Sequence, residues 1–284
     1  MRQKQRLHKT IYVTGITGFI GRNLIPHLLQ TFDQVINFTR NGTLQVFAKK
    51  KTKELKISQE FINENPSDCL INLATLYQPY PKSLPELEQL VEANILFPAR
   101  VIGVLNSLEN LKIINAVSYH QLLDFPAQNI YSLSKELFKK FLDHQSFEVV
   151  NVYIFDTFGA GDGRNKVTDI FIKNILTGKT IIIPKNEIKI NLSDSQSVCI
   201  SLAKSIDLNS GSYSLMSPDT ISLESLANKI MEISQIEVPL LMEGSGANYF
   251  DDIKEFPQNI YSSYSNYSLQ NGLTNRILEI QNSI

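Results

Sequence analysis

Short apolar runs alternate with longer stretches, in which apolar residues recur every three or four positions, over the first 155 residues. This alternation is typical of a parallel sheet with helices on both faces. The pattern therefore predicts an α/β fold, a doubly wound, Rossmann-like parallel sheet. The predicted strands are residues 10–13, 34–39, 55–57, 69–73, 112–116 and 149–155, and the predicted helices are 21–30, 85–108 and 131–145.

Beyond residue 155 the pattern changes and predicts a second, smaller lobe. A Gly/Asp loop precedes a helix at 166–176 and a strand at 180–183; a strand at 188–192 and helices at 193–205 and 222–233 follow. The last forty residues, with tyrosines at 249, 261, 264 and 267, suggest an irregular cap more than a long helix. We expect a dinucleotide-binding domain at 1–157 and about 186–217, and a substrate lobe at about 158–185 and 218–284.

Composition narrows the classes of partner. The 27 basic and 28 acidic residues nearly cancel, which argues against binding to nucleic acid or to an anionic membrane surface. No apolar run approaches the roughly 18 residues that span a bilayer, and Cys69 and Cys199 lack the spacing of metal ligands. We therefore expect a reduced cytoplasmic protein without a metal site.

A glycine-rich segment follows the first strand and opens the first helix. A dinucleotide pyrophosphate rests at this position on backbone N–H groups and the helix dipole. The spacing is G-x-x-G-x-x-G and not the general G-x-G-x-x-G, and the alternative is a turn that only tightens the junction. The expected cofactor contacts are Gly15, Thr17, Gly18, Phe19, Ile20 and Gly21.

Arg40 stands at the end of the second strand, where an NAD enzyme places an acidic residue on the ribose hydroxyls. An arginine there can pair with a 2′-phosphate, so we expect NADP(H) in preference to NAD(H). The alternative is a solvated arginine at a strand end.

Tyr131 and Lys135 lie four residues apart, which places a phenol and an ammonium on one helix face. Ser118 follows the fifth predicted strand, at the sheet edge where ligands bind in open α/β folds. These groups fit carbonyl reduction: Tyr131 protonates the developing alkoxide, Lys135 lowers the pKa of that tyrosine, and Ser118 holds the carbonyl oxygen. Lys135 can also bond the nicotinamide ribose. Asn94 either anchors a water that leads to Lys135 or is a helix-surface amide.

These motifs, with the segments at 68–74 and 92–94, resemble the extended, nucleotide-sugar-modifying short-chain dehydrogenases/reductases over nearly the whole chain. Residues 155–166 are similar to reductases that make CDP-linked 3,6-dideoxyhexoses, the abequose and paratose synthases. The resemblance implies further cofactor contacts at Leu73, Ala74 and Phe155, besides those of Tyr131 and Lys135. The implied substrate contacts are Thr75, Ser118 and Tyr119. Asp156 and Thr157 follow the sixth predicted strand toward the ligand-binding edge and are further candidates. Arg164 and Lys166 can pair with a diphosphate, and the alternative is a solvated loop.

The resemblance implies NADPH-dependent reduction of the 4-keto group of a nucleotide-diphosphate deoxysugar, in bacterial surface polysaccharide (O-antigen) synthesis. The favoured substrate is a CDP-4-keto-3,6-dideoxyhexose. Dehydratases of the family carry an Asp-Glu pair after the active-site hydroxyl, whereas this chain has Tyr119 and His120, so dehydration is disfavoured. An NAD-dependent 4-epimerase and a non-catalytic NADP-binding sensor or scaffold stay open as alternatives. The apolar faces of the helices around Asn94 and Tyr131 predict a homodimer.

Overall fold

A computed structural model describes residues 10–48, 51–124, 129–262 and 267–284 of the chain. Tyr264 of the predicted C-terminal cap lies outside these ranges. The chain divides into two compact units: unit 1 is Met1–Tyr153 with Leu202–Tyr213, and unit 2 is Ile154–Ser201 with Ser214–Ile284. Within the described ranges, none of the helices is long and apolar enough to cross a membrane.

Unit 1 contains a mostly parallel sheet with strand order β11-β7-β6-β5-β1-β2-β3-β4. Its strands are β1 (Thr10–Thr14), β2 (Gln34–Phe38), β3 (Thr43–Ala48), β4 (Lys51–Lys56), β5 (Cys69–Asn72), β6 (Lys112–Ser118), β7 (Glu148–Ile154) and the start of β11 (Gly211–Leu215). Its helices are α1 (Phe19–Leu28), α2 (Gln59–Glu64), α3 (Leu84–Val91), α4 (Phe97–Leu105), α5 (Ile130–Asp143) and the end of α7 (Ser195–Ser205). A π-helical turn, Glu92–Leu96, joins α3 to α4. The doubly wound α/β fold is thus confirmed.

One part of the sheet differs from the prediction. Strands β2, β3 and β4 pair antiparallel, so the predicted strand at 55–57 is the end of a hairpin and not a parallel strand. Leu44 and Val46 are buried on one face of β3 while Gln45 between them is half-buried, the period of two that marks a strand. Gly42, at φ +80°, supplies the left-handed turn residue between β2 and β3.

A row of buried polar side chains crosses the parallel strands of unit 1. Thr14 Oγ1 donates to Asn72 Oδ1 (2.6 Å), Asn72 Nδ2 donates to Asn115 Oδ1 (3.0 Å), and Asn115 Nδ2 donates to Asn151 Oδ1 (3.0 Å). Thr14 is in register with Asn72, and Asn72 with Asn115. We call these four residues, on β1, β5, β6 and β7, the amide row; it satisfies polar groups that are costly to bury alone.

Unit 2 contains a three-stranded sheet of order β12-β10-β8 and a parallel pair β13-β9. Its strands are β8 (Asp156–Phe158), β9 (Ile181–Ile183), β10 (Lys189–Asp194), the end of β11, β12 (Thr220–Ser222), β13 (Leu240–Met242) and β14 (Gln258–Asn259). Its helices are α6 (Val167–Leu176), the start of α7, α8 (Leu223–Ser234) and α9 (Leu269–Gln281). The predicted domain boundaries differ from the units at residues 154–157, 186–201 and 214–217. The largest difference, 186–201, arises because β10 pairs with β8 and β12, which belong to unit 2.

The prediction of an irregular C-terminal cap was wrong for residues 269–281. These residues form α9, and Leu269, Leu273, Ile277 and Ile280 of this helix belong to the apolar core of unit 2. Polar residues fill most of the positions between them, so the helical spacing of the apolar residues is hard to recognise and the local composition indicated a loop. Ser268 caps the helix through its bond from the N–H of Asn271.

Asn115→Ala is expected to lower the free energy of unfolding by about 2–4 kcal/mol, since it leaves two buried amide groups without their partners. Urea unfolding measures the change. Asn63→Ala is the matched control, because Asn63 is exposed and shares one surface bond with Gln59; it should change stability by less than about 0.5 kcal/mol. Equal effects of the two variants would contradict a stabilising role for the amide row.

Candidate active site

The glycine segment forms a cradle at the carboxyl end of β1. Gly15 has φ +73°, and a Cβ there would lie 2.7 Å from the carbonyl carbon of Leu73. A Cβ at Gly21 would lie 2.4 Å from the carbonyl oxygen of Gly15. Both glycines are therefore required by close backbone approach, and Gly18 begins α1 as its N-cap residue.

The N-terminus of α1 fits an anion. Gly18 provides no side-chain cap, and the first turn of α1 holds no acidic residue. Thr17 and Gly18 are exposed, Ile20 is half-buried, and Phe19 is buried. Backbone N–H groups and the positive end of the helix dipole can thus receive a pyrophosphate. A nicotinamide dinucleotide held here would supply the hydride.

Leu73 and Ala74, at the end of β5, pack against this cradle. The Leu73 N–H donates to the carbonyl oxygen of Thr14 (3.2 Å), and the Ala74 N–H donates to Thr14 Oγ1 (3.1 Å). Both residues are buried. The amide row, which ends at Thr14, thereby brings two of the predicted cofactor contacts to the glycine cradle. Thr75, next along the chain, is exposed.

Arg40 lies exposed in the turn between β2 and β3. The turn is braced by Thr39, whose Oγ1 donates to the carbonyl oxygen of Thr43 (2.9 Å). β2 is the parallel neighbour of β1, so the arginine follows the strand beside the one that carries the glycine cradle.

The first turn of α5 fixes Tyr131. Asn129 caps the helix through reciprocal bonds with Ser132, of 2.9 and 3.0 Å. Tyr131 and Lys135 are 8% and 3% exposed, one turn apart. Burial lowers the pKa of Lys135 to about 8. The ammonium therefore lies in a poorly solvated place, where its charge acts strongly on a neighbouring phenol.

Ser118 is the last residue of β6 and begins a short 3₁₀ turn, Tyr119–Leu122. Its N–H donates to Gln121 Oε1 (2.9 Å), and Gln121 Nε2 donates to Glu136 Oε2 (3.0 Å) on α5. Ser118 Oγ accepts from the His120 N–H (3.4 Å), a bond that uses an oxygen lone pair and leaves the hydroxyl hydrogen able to turn toward a carbonyl. Gln121 thus links the end of β6 to the helix of Tyr131 and Lys135.

Asn94 is fully buried in the π-helical turn and binds protein groups on two sides. Its Oδ1 accepts from the Leu76 N–H (2.6 Å), and its Nδ2 donates to the carbonyl oxygen of Leu76 (3.2 Å) and to Ser134 Oγ (2.8 Å). Ser134 Oγ in turn donates to the carbonyl oxygen of Tyr131 (2.7 Å). Asn94 therefore ties the loop after β5 to α5.

Sequence reasoning missed Tyr77, the residue after Leu76. Its ring packs edge-on against Tyr131, with centroids 4.9 Å apart, and 46% of its surface is exposed. The sequence gives no periodic signal here, because Tyr77 lies in a loop. Tyr119, predicted to contact substrate, is buried and stacks on His120 with centroids 4.3 Å apart.

The remaining predicted contacts belong to unit 2. Phe155 is buried and lies 6.1 Å, between ring centroids, from both Phe250 and Phe256. Asp156 and Thr157 form the start of β8.

Two cations follow β8 in the chain. Arg164 Nη2 donates to the carbonyl oxygen of Thr157 (2.8 Å) and to its Oγ1 (2.9 Å). Lys166 precedes α6; burial lowers the pKa of its ammonium, and Arg164 acts in the same direction while Asp156 and Asp162 oppose it. Arg164 also pairs with Asp162, a buried residue that sequence reasoning did not select although it stands two positions away.

Comparison with known proteins identifies several that the chain is similar to. The CDP-abequose synthase of Yersinia pseudotuberculosis is 23% identical over 258 residues, which cover 85% of this chain and 89% of the relative. Among solved structures, UDP-glucose 4-epimerase of Thermotoga maritima, in complex with UDP-glucose, matches with a TM-score of 0.73 at 14% identity, covering 96% of this chain and 99% of that one. The Bordetella bronchiseptica enzyme WbmF, in complex with NADH, matches with a TM-score of 0.73 at 20% identity, covering 99% and 94%.

These structural likenesses concern the fold. The profile of the NAD dependent epimerase/dehydratase family matches residues 11–191, which include the glycine cradle, Ser118, Tyr131 and Lys135. The chain therefore belongs to the NAD dependent epimerase/dehydratase family and is an NAD(P)-dependent, nucleotide-sugar-modifying enzyme of the short-chain dehydrogenase/reductase type.

Proposed function

We propose that this enzyme uses NADPH to reduce the 4-keto group of a nucleotide-diphosphate deoxysugar, with a CDP-4-keto-3,6-dideoxyhexose as the favoured substrate. The observation that carries the proposal is the pairing of Tyr131 with the buried Lys135 on the first turns of α5, beside a 3₁₀ turn that begins at Ser118. The similarity to a CDP-abequose synthase supports the choice of nucleotide and sugar. Such a product would enter bacterial surface polysaccharide.

The chemistry requires three functions from the chain. Ser118 donates a hydrogen bond to the carbonyl oxygen and so favours the charge that develops there. Tyr131 gives its phenolic proton to that oxygen as hydride reaches C4, which converts the ketone to an alcohol. Lys135 stabilises the resulting tyrosinate, which regains a proton from solvent, and also holds the nicotinamide ribose.

Asn94 supports this arrangement through the protein contacts described above. Both hydrogens of its amide nitrogen are directed at protein oxygens, at Leu76 and Ser134. We propose that it keeps the loop carrying Tyr77 against α5 and thereby fixes Tyr131. An anchored water beside Lys135 is a further role that stays a prediction.

Reduction is favoured over dehydration by the residues after Ser118. Elimination of water needs an acid and a base next to the sugar, whereas Tyr119 and His120 stack on each other at this point. Neither is a carboxylate, so the 3₁₀ turn lacks the Asp-Glu pair expected of a dehydratase.

Unit 2 supplies the candidate contacts to the sugar nucleotide. A guanidinium such as Arg164 matches the geometry of a diphosphate, and Lys166 adds a second cation. We assign Asp156 and Thr157, with Thr75 and Tyr119 of unit 1, to the sugar and its nucleotide. Arg40 is assigned to the 2′-phosphate of NADPH, since an exposed arginine after β2 can form that ion pair.

The test is a panel of CDP-, TDP-, UDP- and GDP-linked 4-ketosugars with NADPH, followed by loss of the NADPH absorbance. Fastest turnover with the CDP-linked 3,6-dideoxy sugar is expected. Turnover with another nucleotide but not with CDP would overturn the subgroup while leaving ketoreduction intact. Tightly retained NAD in the purified protein would favour a 4-epimerase, and nucleotide binding without turnover of any sugar would favour a sensor.

Tyr131→Phe is expected to reduce kcat by about 10²–10⁴, the range for a lost general acid, while the Kd for NADPH stays within about threefold. Steady-state kinetics and fluorescence titration of NADPH measure the two values. Tyr80→Phe is the matched control, because Tyr80 is 65% exposed and lies outside the proposed site. Native turnover by Tyr131→Phe would show the mechanism to be wrong.

The pH profile should report Lys135. Its pKa is lowered from 10.5 to about 8, so the cation is present below pH 8 and is lost as the pH rises through this value. We expect kcat/KM for reduction to fall above about pH 8. Lys135→Arg keeps its positive charge at every pH of the assay, so where this variant is active, the fall of kcat/KM should move to higher pH. A fall at the same pH as in the native enzyme would show that another group titrates there.

Arg40→Ala is expected to raise the KM for NADPH by about tenfold or more, the cost of a charge-assisted contact, with little change for NADH. Kinetics with both cofactors measure this selectivity. Arg100→Ala is the control, since Arg100 pairs with Glu92 on the surface of α4. Equal efficiency of the native enzyme with the two cofactors would refute the NADP preference.

A homodimer is expected through α3, the π-helical turn that holds Asn94, and α5, which expose apolar side chains at positions 84, 87, 96, 130, 133, 137 and 141. Light scattering at micromolar concentration should give about twice the chain mass of 32.1 kDa. Leu137→Glu, at a residue that is 56% exposed, should give the monomer. A native monomer at all concentrations would exclude the proposed dimer.

A further inference from the structure

Arg276 of α9 is a buried arginine that the proposed reaction does not use. It is 5% exposed, and its Nε and Nη2 donate to the two carboxylate oxygens of Asp169 on α6 at 2.9 and 2.6 Å. Nη2 also donates to the carbonyl oxygen of Asp162, and Nη1 pairs with Glu279 at 2.7 Å. The guanidinium thus joins two helices to a loop.

The loop in question, residues 159–165, connects β8 to α6 and is held by α9 at two points. The Gly161 N–H donates to Glu279 Oε1 (2.8 Å), and the Asp162 carbonyl oxygen accepts from Arg276. Gly161 and Asn165 have φ of +74° and +51°. The left-handed φ of Asn165 is a costly conformation for a residue with a side chain, and it persists only where the surroundings hold the loop, as these anchors do.

The same loop carries Arg164, and Asp162 connects it to the anchor. The Asp162 carboxylate accepts from Arg164 Nε (2.7 Å) and Nη2 (2.7 Å), while its backbone carbonyl accepts from Arg276. Arg164 Nη2 also bonds Thr157. Asp162 is therefore held on its main chain by α9 and on its side chain by the guanidinium of Arg164.

Packing of α6 against α9 does not explain Arg276. Apolar residues of similar volume commonly stabilise such a contact as well as a buried ion pair does, and both helices already contribute to the apolar core of unit 2. An apolar side chain, however, could not donate to the carbonyl oxygen of Asp162. The bond to the loop is thus the property that requires an arginine.

We propose that Arg276 is a positioning residue, which holds the 159–165 loop so that Arg164 meets the diphosphate of the sugar nucleotide. The proposal rests on the proposed function, since the diphosphate is the ligand assigned to Arg164 above. Orientation of a binding side chain by a buried supporting residue lowers the cost of ordering it when the ligand arrives.

Two variants test this role. Arg276→Lys keeps a cation beside Asp169 but cannot reach Asp162 and Glu279 at once. The double variant Arg276→Met/Asp169→Leu removes both buried charges together, so neither is left unpaired in the core. It serves as the second test if the lysine variant folds poorly. Lys189→Met is the matched control, because Lys189 forms surface ion pairs with Glu187 and Asp251 in the same unit.

The first measurement is calorimetric titration of CDP into the enzyme saturated with NADP. Both Arg276 variants should bind CDP about tenfold more weakly, the value of one misplaced charge-assisted bond, and Lys189→Met should match the native enzyme. In the assay the KM for the ketosugar nucleotide should rise by the same factor, while kcat and the KM for NADPH change by less than about threefold. A general loss of stability would not raise the KM for the ketosugar nucleotide while leaving kcat and the KM for NADPH nearly unchanged.

Combination with Arg164→Met separates positioning from an independent effect. If Arg276 acts through Arg164, the loss caused by Arg164→Met should nearly vanish in the Arg276→Lys background. Additive losses, or native affinity in both Arg276 variants, would overturn the proposal. Hydrogen exchange at the Gly161 and Arg164 amides gives a readout without ligand: faster exchange in both variants is expected, and unchanged exchange would also overturn it.

The results that would refute the proposed function differ from those that would refute the positioning role of Arg276. Failure of the native enzyme to bind any nucleoside diphosphate, or an Arg164→Met variant with native affinity, would refute the assignment of Arg164 to the diphosphate, and with it this proposal's functional part. Exchange at the loop would still decide whether α9 holds the loop.

Discussion

The amide row of Thr14, Asn72, Asn115 and Asn151 sets the alignment on which the catalytic unit depends. Parallel strands that are buried on both faces have few features that distinguish one register from the next. Here a slip of one residue would separate buried amides from their partners and leave them unsatisfied in the core. The row therefore favours one register, in which Gly15 and Leu73 follow β1 and β5 and Ser118 ends β6 at the same edge of the sheet.

Much of this arrangement could be predicted from the sequence. A strand, a glycine segment and a helix in immediate succession predict the dinucleotide-binding turn near the start of the chain. Helical periodicity alone predicts that Tyr131 and Lys135 share one face of a helix. The place of Ser118 after a predicted strand assigns it to the ligand-binding edge of the sheet. Local patterns of this kind carry their own geometry, because the period of a helix or strand determines which side chains share a face.

Other features could not be predicted, and each has a physical reason. Arg276 and Asp169 meet across 107 positions, so no local pattern links them. The antiparallel pairing of β2 with β3 depends on the turn at Gly42, although an Asn-Gly pair stood at that position as a signal. Tyr77 contacts Tyr131 from a loop, and Asn94, which comes later in the chain, binds the backbone of Leu76 just before it, so no local pattern links these residues.

The hairpin also determines how the sheet ends. β4 is the last strand in the order, and no further strand of the described ranges follows it. Lys53, Glu54 and Lys56 of this strand carry charges along this edge of the sheet. An edge strand rich in lysine is a poor template for another chain, because addition of a second copy would bring like charges together. The charged edge of β4 therefore disfavours growth of the sheet by strand addition at this end.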